Sequence, residues 1–128
     1  MAQAHSTKVN SRTFRWLGAE PLPASHDLRI RGWHLVTSEG SNEPGQGTLS
    51  LMDLASYETM CESEAGAALS WACKKSIMVV DVDSSRARAD LLHAGIGDAI
   101  PADACLEELD ARGRLLMEAI KSLPRVRR

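Results

Sequence analysis

Residues 76–95 read SIMVVDVDSSRARADLLHAG, and the way they divide decides the fold. Ile77 to Val80 are apolar without interruption. A sheet with one wet face would show alternation, whereas a continuous run marks a strand covered on both faces of a parallel sheet. The pattern then changes. Asp83 or Ser84 is of the type that caps a helix start, and Gly95 is of the type that ends one. A strand running directly into a capped helix is one half of a βαβ unit.

The same alternation recurs on both sides of this stretch. TFRWL (13–17), HLVTS (34–38), TLSLMDL (48–54) and the brief DAI (98–100) are further strands. ASHDLRIRGW (24–33) is read as a short helix ending near Gly32, after GAEPLP (18–23), whose two prolines forbid regular pairing. SYETMCESEAGAALSWACKK (56–75) is read as one helix with Met60, Ala67, Ala68, Trp71 and Ala72 on one face, although Gly66 costs it about 1 kcal/mol relative to Ala. LEELDARGRLLMEAIKSL (106–123) is the longest helix, its stripe Leu106, Leu109, Leu116, Ile120 and Leu123, with Pro124 beyond its end. EGSNEPGQG (39–47) is a loop, rich in Gly with a Pro and an Asn. Alternating strands and helices call for an α/β fold, a parallel sheet with right-handed crossovers and helices on both faces.

The whole chain sets the outer bounds. At 128 residues it holds one domain, expected over 12–123, between a polar tail (1–11) and a basic tail or linker start (124–128). It is 44% apolar and 25% charged with net charge −2, so nothing in the overall balance calls for a polyanion. Residues 112–128 carry six Lys or Arg against one acid, read as a solvated helix face running into a linker. Cys61, Cys73 and Cys105 are odd in number and form no CxxC, the pattern of reduced thiols rather than a disulfide or zinc framework. Cys105 near a helix start is read as a small residue rather than a redox centre. The chain lacks both a long apolar run and a signal-like N-terminus, so a cytoplasmic domain without membrane contact is expected.

In such folds chemistry gathers at the carboxyl ends of the strands. Glu20, Asp53 and Asp81 are expected along that edge and, with Asp83, are candidate acids for a divalent-cation site, although helix capping is the commoner use of such residues. Asp53 and Asp81, if close, would share a proton. His26, His34 and His93 lack ligand spacing and are read as surface or interface residues. Trp16, Trp33 and Trp71 are read as core or partly buried packing. GAEPLP offers too little Gly or Ser for a phosphate cradle, so a nucleotide- or flavin-sensing domain is a distant alternative.

In LLHAGIGDAIPADACLEELDARGRLL (91–116), RGWHLVTSE (31–39) and LSLMDL (49–54), the chain resembles the receiver domain of two-component response regulators over about residues 13–123. The resemblance implies a flavodoxin-like, three-layer sandwich whose five-stranded sheet has the order 2-1-3-4-5, here with the second helix shortened or missing. It places Asp53 at the phosphoacceptor position. The partners that phosphoryl transfer needs are replaced. Gly18 and Ala19 stand at the acidic pair that holds Mg²⁺, Asp81 at the hydroxyl, Ala102 at the Lys, Asp103 at the following Pro, and Ala99 at the switch aromatic. Catalysis of this kind is largely electrostatic, so losing these groups leaves little of it.

The expectation is a pseudo-receiver, not an enzyme and without a cofactor. It acts by contact with a second copy of itself or with another signalling protein, and meets nucleic acid only through an attached output domain. The contact face implied is the family's fourth helix, fifth strand and fifth helix, with Arg86, Arg88, Asp90, His93, Asp98, Glu107, Asp110, Arg112 and Arg114. The alternative is a phosphoaccepting receiver using Asp53 and Mg²⁺.

Overall fold

The computed structural model describes residues 12–37, 47–64 and 69–121, except the side chain of Ala72. The two expected tails, most of the 39–47 loop with any remnant of a second helix, and Gly66, Ala67, Ala68, Leu123 and Pro124 lie outside those residues.

Five strands form one parallel sheet: β1 (Thr13–Trp16), β2 (His34–Leu35), β3 (Leu49–Asp53), β4 (Ile77–Val80) and β5 (Asp98–Ala99), in the order β2-β1-β3-β4-β5. This is the order of flavodoxin-like and receiver folds. Every pairing is parallel, with Phe14 opposite Leu49, Leu51 opposite Met78 and Met78 opposite Asp98. All four β4 residues are buried, as the unbroken apolar run requires. Each contributes roughly 1.5–3 kcal/mol by leaving water.

The strand pleat divides the core into two layers. Phe14, Leu49, Leu51, Met78, Val80 and Ile100 point to one face and pack with Leu28, Trp33 and Leu109. Met52, Ile77, Val79 and Ala99 point to the other and pack with Val82, Leu91 and Ile96. The first face is covered by two 3₁₀ turns (Ala24–His26 and Leu28–Arg31) and by a long helix, Leu106–Lys121. The second is covered by the helices Leu54–Glu62 and Ser85–His93. In chain order the helices are α1 (Leu54–Glu62), α2 (Trp71–Lys75), α3 (Ser85–His93) and α4 (Leu106–Lys121).

Two expected helices differ. Residues 24–33 form the two 3₁₀ turns instead of an α-helix. Asp27 divides them: its extended backbone interrupts the helix, and its carboxylate accepts the Arg29 N–H at 3.1 Å, closing an Asx turn. Gly32, at φ 93°, ends the second turn as its position in the sequence suggests. Residues 56–75 do not form one helix. Ser63 leaves the helix with an extended backbone, its hydroxyl bonding back to the Met60 carbonyl at 2.8 Å. Ser70 then caps α2 by accepting from the Cys73 N–H. Met60 and Trp71 therefore lie on separate helices and do not share one helical face. Trp71 is 55% exposed, with the Lys75 ammonium 5.6 Å from its ring centre, and is not packing residue material like the buried Trp33.

Candidate functional site

The three strand-end acids lie on the carboxyl edge but serve separate ends. Asp53 is the N-cap of α1: one carboxylate oxygen accepts the Ser56 N–H at 2.7 Å and the other the Ala19 N–H at 3.4 Å. Partial burial works to raise the Asp53 pKa, but the Ser56 and Ala19 hydrogen bonds outweigh it and hold it below 3.8. The carboxylate is thus charged at neutral pH. The Asp81 carboxylate instead meets His26, Nε2 to Oδ1 at 3.1 Å. Glu20 is exposed and uses its backbone carbonyl to accept the Trp16 indole N–H at 2.6 Å. Asp83 accepts the Ala102 N–H at 2.9 Å, which joins the β4–α3 connection to the loop after β5. Among the described residues no three His, Cys, Asp or Glu side chains gather where they could hold a metal ion.

His26 differs from the reading as a surface residue. It is 3% exposed and its ring lies 6.0 Å from that of Trp16, whereas His34 and His93 are exposed as expected. A single histidine in a polar-looking segment gives no signal of this, because its burial depends on how the two 3₁₀ turns fold onto the sheet. Gly18 is fixed by the same corner, since a Cβ there would stand 2.2 Å from the Trp16 ring.

The expected contact face is altered more. Asp110 is buried, 3% exposed, and is not a surface group. Its carboxylate accepts from the Trp33 indole at 2.8 Å, Arg114 Nε at 2.8 Å and Arg31 Nε at 3.1 Å. Burial would raise its pKa, but these three donors together hold it below the usual carboxylate value. Glu107 flanks the cluster, 3.9 Å from Arg31. The helical period explains the arrangement: positions 107, 110 and 114 share one side of α4, turned toward the second 3₁₀ turn.

Arg112 lies on the β5 side of the same helix. It donates to Glu108 at 2.9 Å and to Asp98 at 3.1 Å, and these two acids raise its pKa further. Arg88 is half-buried and donates to the carbonyls of Val82 and Asp83 at 2.7 and 2.9 Å. Of the nine residues, Arg86, Asp90 and His93 on α3 are exposed, as are Glu107 and, beside their internal bonds, Arg112 and Arg114. On this face the reading missed two exposed apolar residues: Leu92 on α3, 45% exposed, and Leu115 on α4, 71% exposed. Both sit in apolar pairs, LL, in which a one-residue offset decides the face.

The three cysteines are free thiols, Cys61 and Cys105 exposed and Cys73 half-buried. Burial, with the Cys61 thiol one turn away, pushes the Tyr57 hydroxyl up to about 12. Among the described residues no helix is long and apolar enough to cross a membrane. No family model, no curated protein and no solved structure matches this chain.

Proposed function

We propose that this domain is a pseudo-receiver, a receiver-like module that signals by protein–protein contact and not by phosphoryl transfer. The observation that carries the reading is the commitment of Asp53: each of its oxygens already accepts a backbone N–H, from Ser56 and Ala19. A phosphoaccepting carboxylate also needs a metal to offset charge and a cation on the phosphate. The positions that would supply these are Gly18, Ala19 and Ala102, and Asp81 adds a negative charge. The partner is a second copy of the chain, or another signalling protein, docking on α3, β5 and α4. β5 is an edge strand lying between a helix on each face of the sheet, and Leu92 and Leu115 supply exposed apolar area there.

Beryllofluoride with Mg²⁺ is the direct test. Amide resonances near Asp53, Ala19 and Ser56 are expected to stay in place on its addition. Shifts centred on Asp53 that Asp53→Asn abolishes would overturn the proposal in favour of a phosphoaccepting receiver.

A further inference from the structure

One contact at the carboxyl edge is not used by this reading. His26, in the first 3₁₀ turn, gives its Nε2 to Asp81, but Nδ1 of the same buried ring has no partner among the described residues. Asp81 in turn has φ of 62°, the one non-glycine residue among those described with a left-handed backbone. Aspartate enters that region at a cost that local side-chain bonding offsets. The ring and the strained residue thus hold each other, across 55 positions of sequence.

The chemistry of the pair is asymmetric. An ionised carboxylate only accepts, so Nε2 carries the hydrogen and the neutral ring keeps its lone pair at Nδ1. A buried acceptor lacking a partner is tolerated more readily than a buried charged donor. A proton added at Nδ1 makes a cation with a second N–H that has no acceptor among the described residues. Asp81 offsets this only in part, because its side chain is 46% exposed and water screens it.

Most of the other charged groups on the elements around the ring are engaged elsewhere, while the Glu20 carboxylate beside Trp16 is exposed to solvent. Asp27, next along the chain, holds Arg29. From β1 the ring faces Trp16, uncharged, whose N–H goes to the Glu20 carbonyl. On α4, Asp110 is held by Arg31, Trp33 and Arg114, and Glu107 lies by Arg31. Asp53 is held by Ser56 and Ala19.

We infer that His26 and Asp81 form a proton-sensitive latch: the neutral ring closes the edge, and protonation drives His26 toward solvent and releases Asp81. Release reaches the β4–α3 connection, where Ser84 caps α3 and Asp83 holds the Ala102 N–H. A proton would then act on the same face that the proposed function assigns to partner contact. The latch depends on that reading only for the purpose of the movement, not for its occurrence.

Amide hydrogen exchange on the full chain, corrected for intrinsic rates and followed from about pH 8 to about pH 5, tests it. Protection at residues 24–28 and 81–84 is expected to stay level at the alkaline end and to fall together below about pH 6.5, where a solvent-exposed histidine takes up its proton, by up to about tenfold per pH unit for a one-proton opening. His26→Gln keeps a donor near Nε2 but takes no proton, and is expected to flatten the response. Asp81→Asn tolerates the left-handed backbone without the charge, and moves opening to higher pH. Independently of any variant, the His26 ring resonance is expected to titrate with the midpoint of the exchange change. Unchanged protection across the range, or an acid response that persists in His26→Gln, overturns the latch, as does a ring midpoint that differs from the exchange midpoint. The beryllofluoride experiment, run at one pH above the transition, is unaffected by these outcomes.

Discussion

Asp53 and Asp110 are both acids whose burial would favour the neutral form, and both are held charged by donors. The consequences differ in size. Asp53 is a helix cap at a partly exposed end, and Asp53→Ala removes bonds of the kind worth about 1 kcal/mol. Asp110→Ala leaves the Trp33 indole and two guanidinium groups without their acceptor, and about 3 kcal/mol is expected to be lost. Urea unfolding followed by tryptophan fluorescence measures both; equal losses would show that the Asp110 cluster is mere surface pairing. The sign of the pH dependence follows from the lowered values. A carboxylate whose folded pKa lies below its unfolded one stabilises the fold above the unfolded value of 3.8, and that contribution is lost as pH falls through the folded value. Wild-type stability is therefore expected to decline below about pH 4, and Asp110→Asn to show a shallower decline in that window.

At the level of elements, what was legible in the sequence was set by local pattern, and what was not was set by packing. The run at 77–80 and the Ser84 cap were readable because a strand buried on both faces and a helix start each leave a local composition. The breaks at Asp27 and Ser63 were not, because a single polar side chain bonding to its own backbone outcompetes the helix there, and helical periodicity does not register it. The inward turn of Asp110 was also hidden, since an acid between Leu109 and Arg112 looks like any exposed helix position until the second 3₁₀ turn packs on it. Gly97 belongs to this level too. It leads into β5, and a Cβ there would meet the Lys75 carbonyl at 2.2 Å and the Ile77 carbonyl at 3.0 Å. Backbone cannot withdraw as a side chain can, so Gly97→Ala is expected to displace β5 from β4 and cost about 2–3 kcal/mol. A thermal melt within about 1 °C of wild type would refute that close approach.

For the whole molecule, the question is which surface remains free for a partner once internal bonds are subtracted. Arg112 and Arg114 look like the obvious charges to reverse, but they hold Asp98, Glu108 and Asp110, so reversing them would disturb folding along with association. Leu92 and Leu115 are better probes, because both are exposed and neither belongs to the two core layers. Their helices cover opposite faces of the sheet and flank the β5 edge, so a partner that covers β5 would reach both. Exposed Arg86, Asp90 and His93 would then form a mixed-charge rim on the α3 side, which suits pairing with an identical copy. Sedimentation velocity of the wild type is expected to show a concentration-dependent rise in mass. Leu92→Glu with Leu115→Glu is expected to remain monomeric over the same range, with a melting temperature equal to that of the dissociated wild type. A wild type that stays monomeric throughout excludes self-pairing on this face and leaves a heterologous signalling partner as its occupant. Association that survives both substitutions moves the interface away from α3, β5 and α4.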